Sequence, residues 1–315
     1  MVYLVTAAFL LDLLVGDPPF LPHPVVGIGR LVSFWESRLV RPGRSPAVQK
    51  AAGVLLAVLV TGTSAGLVFL VLLGARRLGR PFYLALQIYF IYAAVAARGL
   101  AAAGLRVRRA LSAGDLAGAR RLTAQVVGRD TRLLTEAGVS RAAVETVAEN
   151  TVDAVVAPLF YAFIGGAVLA VAYRAVNTLD AMVGYKNERY RYLGWASARL
   201  DDLANWLPAR LTGCLLVLAA FLTGRRPVRT LTTMLRFGSR HPSPNSGVAE
   251  AAFAGALGVR LGGPISYGGV PVDHPFLGDG PREPAAKDIP AAVALMVLTA
   301  LLTLAAGWLV TRWLR

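Results

Sequence analysis

The chain has one cysteine, three histidines and three lysines in 315 residues, and acidic residues number only 18. A lone cysteine, Cys214, excludes a disulfide framework. The histidines, His23, His241 and His274, each adjoin a proline and show no zinc-ligand spacing, so turn hydrogen bonding is the simpler reading. Charged residues make up 16% of the chain, against about 25% in ordinary globular proteins. Apolar residues make up 56%, and mean hydropathy is +0.55. That composition excludes disorder and leaves too little polar surface for a soluble fold of this size. No G-x-x-x-x-G-K-[ST] loop, no G-x-G-x-x-G after a strand, no nucleophile elbow and no H-E-x-x-H is present. Internal repeats and low-complexity tails are also missing.

What is abundant is arginine. The net charge of +15 invites a nucleic-acid reading, but the bases lie between apolar segments, where they read as flanks of membrane helices. No nucleic-acid partner is expected. Residues 51–73 and 289–311 each run 23 positions without a charge, long enough to cross a hydrocarbon core of about 30 Å. Shorter uncharged runs lie at 81–97 and 154–173, and 211–224 is marginal. Residues 1–16 lack a basic start and a cleavage site, so no removed signal peptide is read there. Asp12 in that run has two readings: it faces protein, or a tilted helix end exposes it to headgroups.

These features predict an all-α, polytopic integral membrane protein. Five to six segments are expected near 1–16, 51–73, 81–97, 154–173, 207–224 and 289–311, with further helices in the long polar stretches, all in one domain over 1–315. If every segment crosses, the stretches 16–50, 98–151 and 225–288 share a side and hold 22 of the basic residues. The positive-inside rule makes that side cytoplasmic. The basic stretch 173–205 then falls on the opposite side, a conflict that a break at Gly165-Gly166 would relieve by letting the segment enter and return.

Three constellations carry chemistry. In GRDTRLLTEAGVSRAAVETVAENTVDAVVAP (128–158), Ser140 is the expected N-cap of a helix. Glu145, Glu149 and Asp153 are spaced four apart and form one acidic ridge, with Asn150 beside it. Carboxylates on one face repel unless something positive lies between them, and Mg²⁺ suits such oxygen donors, with phosphates completing its shell. A solvated helix face is the plain alternative. In the second, Arg174, Asn177 and Asp180 recur every three residues, Lys186 follows, and Arg199, Asp201, Asp202 and Asn205 form a mixed cluster. Ionisable groups at membrane boundaries are functional candidates, the alternative being internal ion pairs. In the third, Arg240 and His241 precede a Pro-rich turn that leads to Asn245 or Ser246 as cap of the next helix, a start suited to phosphate. Glu250 lies one turn inside that helix, and the glycine-rich run from Gly262 to Gly269 follows. The residues alone leave open a ligase, a transferase acting on a lipid pyrophosphate, or a transporter.

Several long motifs, in order, resemble the CobD/CbiB family of adenosylcobinamide-phosphate synthases. They are DLLVGDPPFLPHPVVGIGRLV (12–32), GRDT (128–131), RAAVETVAENTVDAVVAPLFY (141–161), YRAVNTLDAMVGYKNERYRYLGWASARLDDLANWLPARL (173–211) and HPSPNSGVAEAAFAGALGVRLGG (241–263). The resemblance implies ATP-dependent amide formation late in B12 synthesis. Adenosylcobyric acid would be joined to aminopropanol phosphate, or to the free amino alcohol. It implies Mg²⁺ held by members of Glu145, Glu149, Asp153 and Asp180, and catalytic work by these and His241. Phosphate and substrate contacts would come from Arg129, Asp130, Arg174, Asn177, Lys186, Asp201, Asp202, Asn205, Arg240, Asn245 and Ser246. It further implies an inner or plasma membrane location with the active site on the cytoplasmic side, lipid contact, and other late cobalamin-pathway enzymes as membrane partners. Beside it stand a membrane transporter of a corrinoid or other anionic metabolite, and the distantly related membrane family involved in β-lactamase regulation, a sensor rather than an enzyme, which is not expected to carry all these polar motifs.

Overall fold

The computed structural model describes residues 1–18, 20–40, 43, 45–185 and 187–313; Lys186 lies outside them. The chain is a polytopic helical membrane protein. Five stretches are long and apolar enough to cross a bilayer: Pro46–Leu78, Arg80–Ser112, Glu136–Val183, Trp195–Leu222 and Asp288–Trp313. The expected N-terminal segment is the 14-residue helix α1 (Val2–Val15), at about 21 Å too short to span. Asp12 on α1 is fully buried, so it faces protein. The segment expected over 207–224 begins earlier, at Trp195, and its first turns carry the buried polar residues Ser197 and Asn205.

The chain packs as two compact units, each discontinuous in sequence. One comprises residues 1–96, 157–205 and 307–315. It contains α1, α2 (Pro24–Leu39), α3 (Pro46–Leu78), α4 (Arg80–Tyr92) and α8 (Ala157–Val183), with the first turns of α9 (Trp195–Leu222). Phe9, Leu56, Ile91, Leu159 and Leu179 fill its core, while Val58, Leu67, Phe69 and Leu70 of α3 remain exposed on the surface that lipid would cover. The break expected at Gly165-Gly166 is present in α8, where Gly166 adopts φ +62°. Buried Gln87 closes it by accepting from the Ala167 N–H at 2.9 Å, satisfying backbone that a bilayer would leave unpaired. A Cβ at Gly166 would come within 2.9 Å of that Gln87 oxygen.

The other unit comprises residues 97–156 and 206–306. It holds α5 (Ala97–Ser112), α6 (Leu116–Ala124), α7 (Glu136–Thr151), α10 (Pro227–Phe237), α11 (Ser246–Leu257) and most of α9 and α12 (Asp288–Trp313). Asp115 caps α6 as the Ser112-Ala-Gly-Asp115 break predicts, accepting from the Gly118 N–H at 2.7 Å. Helix α7 starts earlier than expected. Thr135, not Ser140, is its N-cap, accepting from the Gly138 N–H at 3.1 Å, and Ser140 is buried in the helix interior.

Four short strands also belong to this unit: β1 (Leu261–Gly262), β2 (Ile265–Tyr267), β3 (Val270–Val272) and β4 (Phe276–Leu277). Strand β1 pairs with β4 and β2 with β3, both antiparallel. The glycine-rich run from Gly262 to Gly269 lies among these strands. Its Gly268-Gly269 pair, both at positive φ, joins β2 to β3 as a two-residue hairpin turn.

Candidate active site

Helix α7 owes its position to small residues. Ala142, Ala143 and Ala148 are buried with Val144 and Val147, so the helix packs closely, with Glu145 and Glu149 turned towards a cavity. The cavity holds about 300 Å³ and is lined by Arg129, Glu145, Glu149, His241, Glu250 and His274, among others. A single turn of π-helix, Val152–Val156, follows α7. Its wider turn interrupts the four-residue spacing after Glu149, and Asp153 does not line the cavity. The acidic ridge expected over three carboxylates therefore presents two here.

Both oxygens of Glu145 are occupied. Arg129 Nη2 lies 2.6 Å from Oε2, and the Gly262 N–H donates to Oε1 at 2.6 Å. Gly262 achieves this at φ +71°, where a Cβ would meet the Pro275 carbonyl at 2.3 Å. The Nε of Arg129 is buried without an acceptor among the described residues. Glu149 accepts from the Ser246 hydroxyl at 3.1 Å. Glu250, one turn further along α11, is 5% exposed and accepts no hydrogen bond among the described residues; His241 Nε2 lies 3.7 Å from its Oε1.

Gly247 sets up that approach. A Cβ there would sit 2.5 Å from the His241 Cβ, so only glycine lets the 238–241 turn lie against the start of α11. The Ser243 N–H donates to His241 Nδ1 at 3.0 Å. Nδ1 also lies 3.3 Å from the Ser243 carbonyl, so the tautomer follows whichever Ser243 contact is made; with the N–H donated to Nδ1, the neutral ring carries its proton on Nε2, on the edge facing Glu250. Burial lowers the His241 pKa, favouring that neutral ring. Burial, reinforced by the charges of Glu145 and Glu149, pushes the Glu250 carboxyl well above the usual range.

The remaining expected residues have other surroundings. Asp130 fastens the hairpin, its N–H donating to the Ser266 carbonyl at 2.8 Å and its carboxylate accepting from the Gly269 N–H at 2.7 Å. Asn245 occupies the cap position of α11, but its side chain accepts from Arg210 at 2.6 Å; the Ser243 hydroxyl accepts from the N–H groups of Asn245 and Ser246. Arg240 lies over the Phe237 ring at 4.4 Å. Arg174, Asn177, Asp180, Asp201, Asp202 and Asn205 belong to the other unit. There Arg174 donates to Asn177 at 3.2 Å, Asp202 lies 3.7 Å from Arg199, and Asn205 bonds both Asp201 at 3.0 Å and the Tyr173 hydroxyl at 2.8 Å. Among the described residues no three His, Cys, Asp or Glu side chains are grouped to hold a metal ion.

A family model described as CobD/Cbib protein matches residues 5–296. The chain belongs to the CobD/CbiB family. It is 46% identical over 307 residues to a protein named cobalamin biosynthesis protein CobD from Klebsiella pneumoniae, covering 98% of this chain and 96% of that one. A Geobacter metallireducens protein of the same name is 52% identical over 275 residues, covering 87% and 86%. The cobalamin biosynthesis protein CbiB of Salmonella typhimurium is 47% identical over 301 residues, covering 95% and 93%. No solved structure matches the chain. Within this CobD/CbiB chain the expected site set omitted Glu250 and His274. Glu250 had a readable signal: it lies four residues after Ser246 and so shares its helix face.

Proposed function

We propose that the chain acts in cobalamin biosynthesis as an ATP-dependent amide ligase, joining the free propionate of adenosylcobyric acid to (R)-1-amino-2-propanol O-phosphate, or to the free amino alcohol. The observation that supports this reading is the cavity of Arg129, Glu149, His241 and Glu250 within a chain of this family. A volume of about 300 Å³ suits a small phosphorylated amine and the tip of a propionate arm, with the corrin ring outside.

A carboxylate oxygen leaves poorly, so ATP would first phosphorylate the propionate. The amine then attacks the carbonyl carbon, the C–O bond to phosphate breaks, and amide, ADP and phosphate result. Arg129 lines the cavity, and its guanidinium suits a phosphate or the developing oxyanion. Glu149 and Glu250 supply acceptors for the protons that the amine sheds. His241 presents a donor edge to Glu250 and is assigned to positioning that carboxylate, not to acting as base. Mg²⁺ in this proposal enters with the nucleotide, whose phosphate charge it neutralises. Following the distribution of arginine, the reaction is placed at the cytoplasmic face of the cell membrane.

Purified protein incubated with adenosylcobyric acid, aminopropanol phosphate, ATP and Mg²⁺ is expected to yield adenosylcobinamide phosphate. Absence of product under conditions where the Salmonella typhimurium protein makes it would sink the reading. Glu149→Ala is expected to abolish turnover while the protein still inserts into membranes.

A further inference from the structure

We propose that Glu149 and Glu250 together form the subsite for the primary ammonium group of the amino alcohol, with His241 positioning Glu250. This deepens the ligase reading and rests on it for the identity of the ligand, but the chemistry is argued from the cavity itself.

Acceptors outnumber donors on this wall. Of the three glutamates lining the cavity, only Glu145 has both oxygens engaged by the protein, through Arg129 and the Gly262 N–H. Glu149 receives one hydroxyl proton from Ser246. Glu250 is more than nine-tenths buried, lines the cavity and accepts no hydrogen bond among the described residues. A buried carboxyl without donors is costly, so a group rich in donors and positive charge is the natural complement. An ammonium carries three N–H donors and no acceptor. A resident metal ion is a poorer match, since the described residues offer no group of three ligating side chains.

The shape of the wall follows from local structure. Ser246 and Glu250 are one turn apart on α11, so the residue that holds Glu149 and the carboxyl that completes the subsite share a helix face. The close contact at Gly247 brings His241 to Glu250 from the other side, with Nε2–H directed at the carboxyl edge. The other charged or titratable groups lining this cavity are Arg129, Glu145, His274 and Tyr267, and only Arg129 among them is a permanent cation. Burial beside Glu145 and Glu149 raises the Glu250 pKa and favours the neutral acid; an incoming ammonium favours the carboxylate instead, so that proton leaves to solvent as the amine binds. When the amine reacts, its nitrogen releases one proton to the Glu250 carboxylate. That leaves a neutral amine with a free lone pair and a neutral carboxylic acid.

The test is calorimetric binding of two probes to the full-length protein in detergent. One probe is 1-amino-2-propanol O-phosphate; the other is isopropyl phosphate, which lacks only the amine. The native protein is expected to prefer the amine by about tenfold or more, the worth of a charged hydrogen bond. Glu250→Gln should erase that preference and leave isopropyl phosphate affinity unchanged, which also controls for folding. Glu149→Gln provides the same comparison if the first variant fails to fold. A preference of less than threefold in the native protein, or one that persists in both variants, overturns the subsite. Amine preference that disappears in the variants, combined with no amide product from adenosylcobyric acid and ATP, keeps the subsite and removes the ligase reading. Amide formation without amine preference does the reverse.

Discussion

Two clusters of acids, amides and arginines lie at the ends of apolar helices, one in each unit, and they differ in how their hydrogen bonds close. In the first unit, Asn205 is 1% exposed and joins Asp201 to Tyr173, whose ring stacks on Tyr161 at 5.2 Å. Arg174 turns to Asn177 and Arg199 to Asp202. These groups bond chiefly to one another, and no cavity lined by them opens among the described pockets. In the second unit the Arg129–Glu145 pair closes, but Glu250 has no donor among the described residues and a cavity opens in front of it. Similar residue types thus serve cohesion in one place and leave capacity for a ligand in the other. The difference lies in whether a cavity opens beside the carboxylates.

The strongest test of that contrast is Arg129→Ala. Removing the guanidinium leaves Glu145 buried with only the Gly262 N–H, and breaking a buried pair from one side costs about 3 kcal/mol. Unfolding in detergent should register that loss, and Arg129→Ala with Glu145→Gln should recover much of it. If the single variant is as stable as the parent, the pair is not what holds the Arg129 loop to α7. Next in size is Asn205→Ala, which removes two buried hydrogen bonds and is expected to cost about 2 kcal/mol. Unchanged stability together with lost ATP-dependent turnover would break the comparison, because Asn205 would then be a substrate contact.

Much of the fold was legible because composition and uncharged run length constrain it directly: the two 23-residue runs became α3 and α12, and the Gly165-Gly166 break appeared where it was expected. What escaped the sequence depended on choices between near-equal local options. Thr135 and Ser140 are both good caps, and burial of Ser140 decides for Thr135. The Glu145–Glu149–Asp153 ridge assumed one helical period throughout, and the π turn ended it before Asp153. In the site itself, Glu145 and Glu149 were readable from spacing alone. The commitment of Glu145 to Arg129 and Gly262, and the openness of Glu250, arise from contacts across roughly 15 to 120 residues of chain that no periodicity encodes.

The finest probe of the contrast is pH. The folded-state pKa of Glu250 is raised, so the folded protein holds a proton there that the unfolded chain has already lost. Its contribution to stability is therefore fully present below the ordinary glutamate range and declines as pH rises from there towards the raised value. The slope cannot exceed about 1.4 kcal/mol per pH unit for one proton. His241 acts in the opposite sense: its lowered pKa makes the unfolded chain the better proton binder, so stability falls as pH drops below the ordinary histidine range. Subtracting the unfolding free energy of Glu250→Gln from that of the native protein at each pH isolates the glutamate. The difference should favour the native protein most at acid pH and shrink as pH rises. A flat difference would mean that Glu250 is as well solvated or paired as the carboxylates of the first unit, and the distinction between the two clusters would collapse.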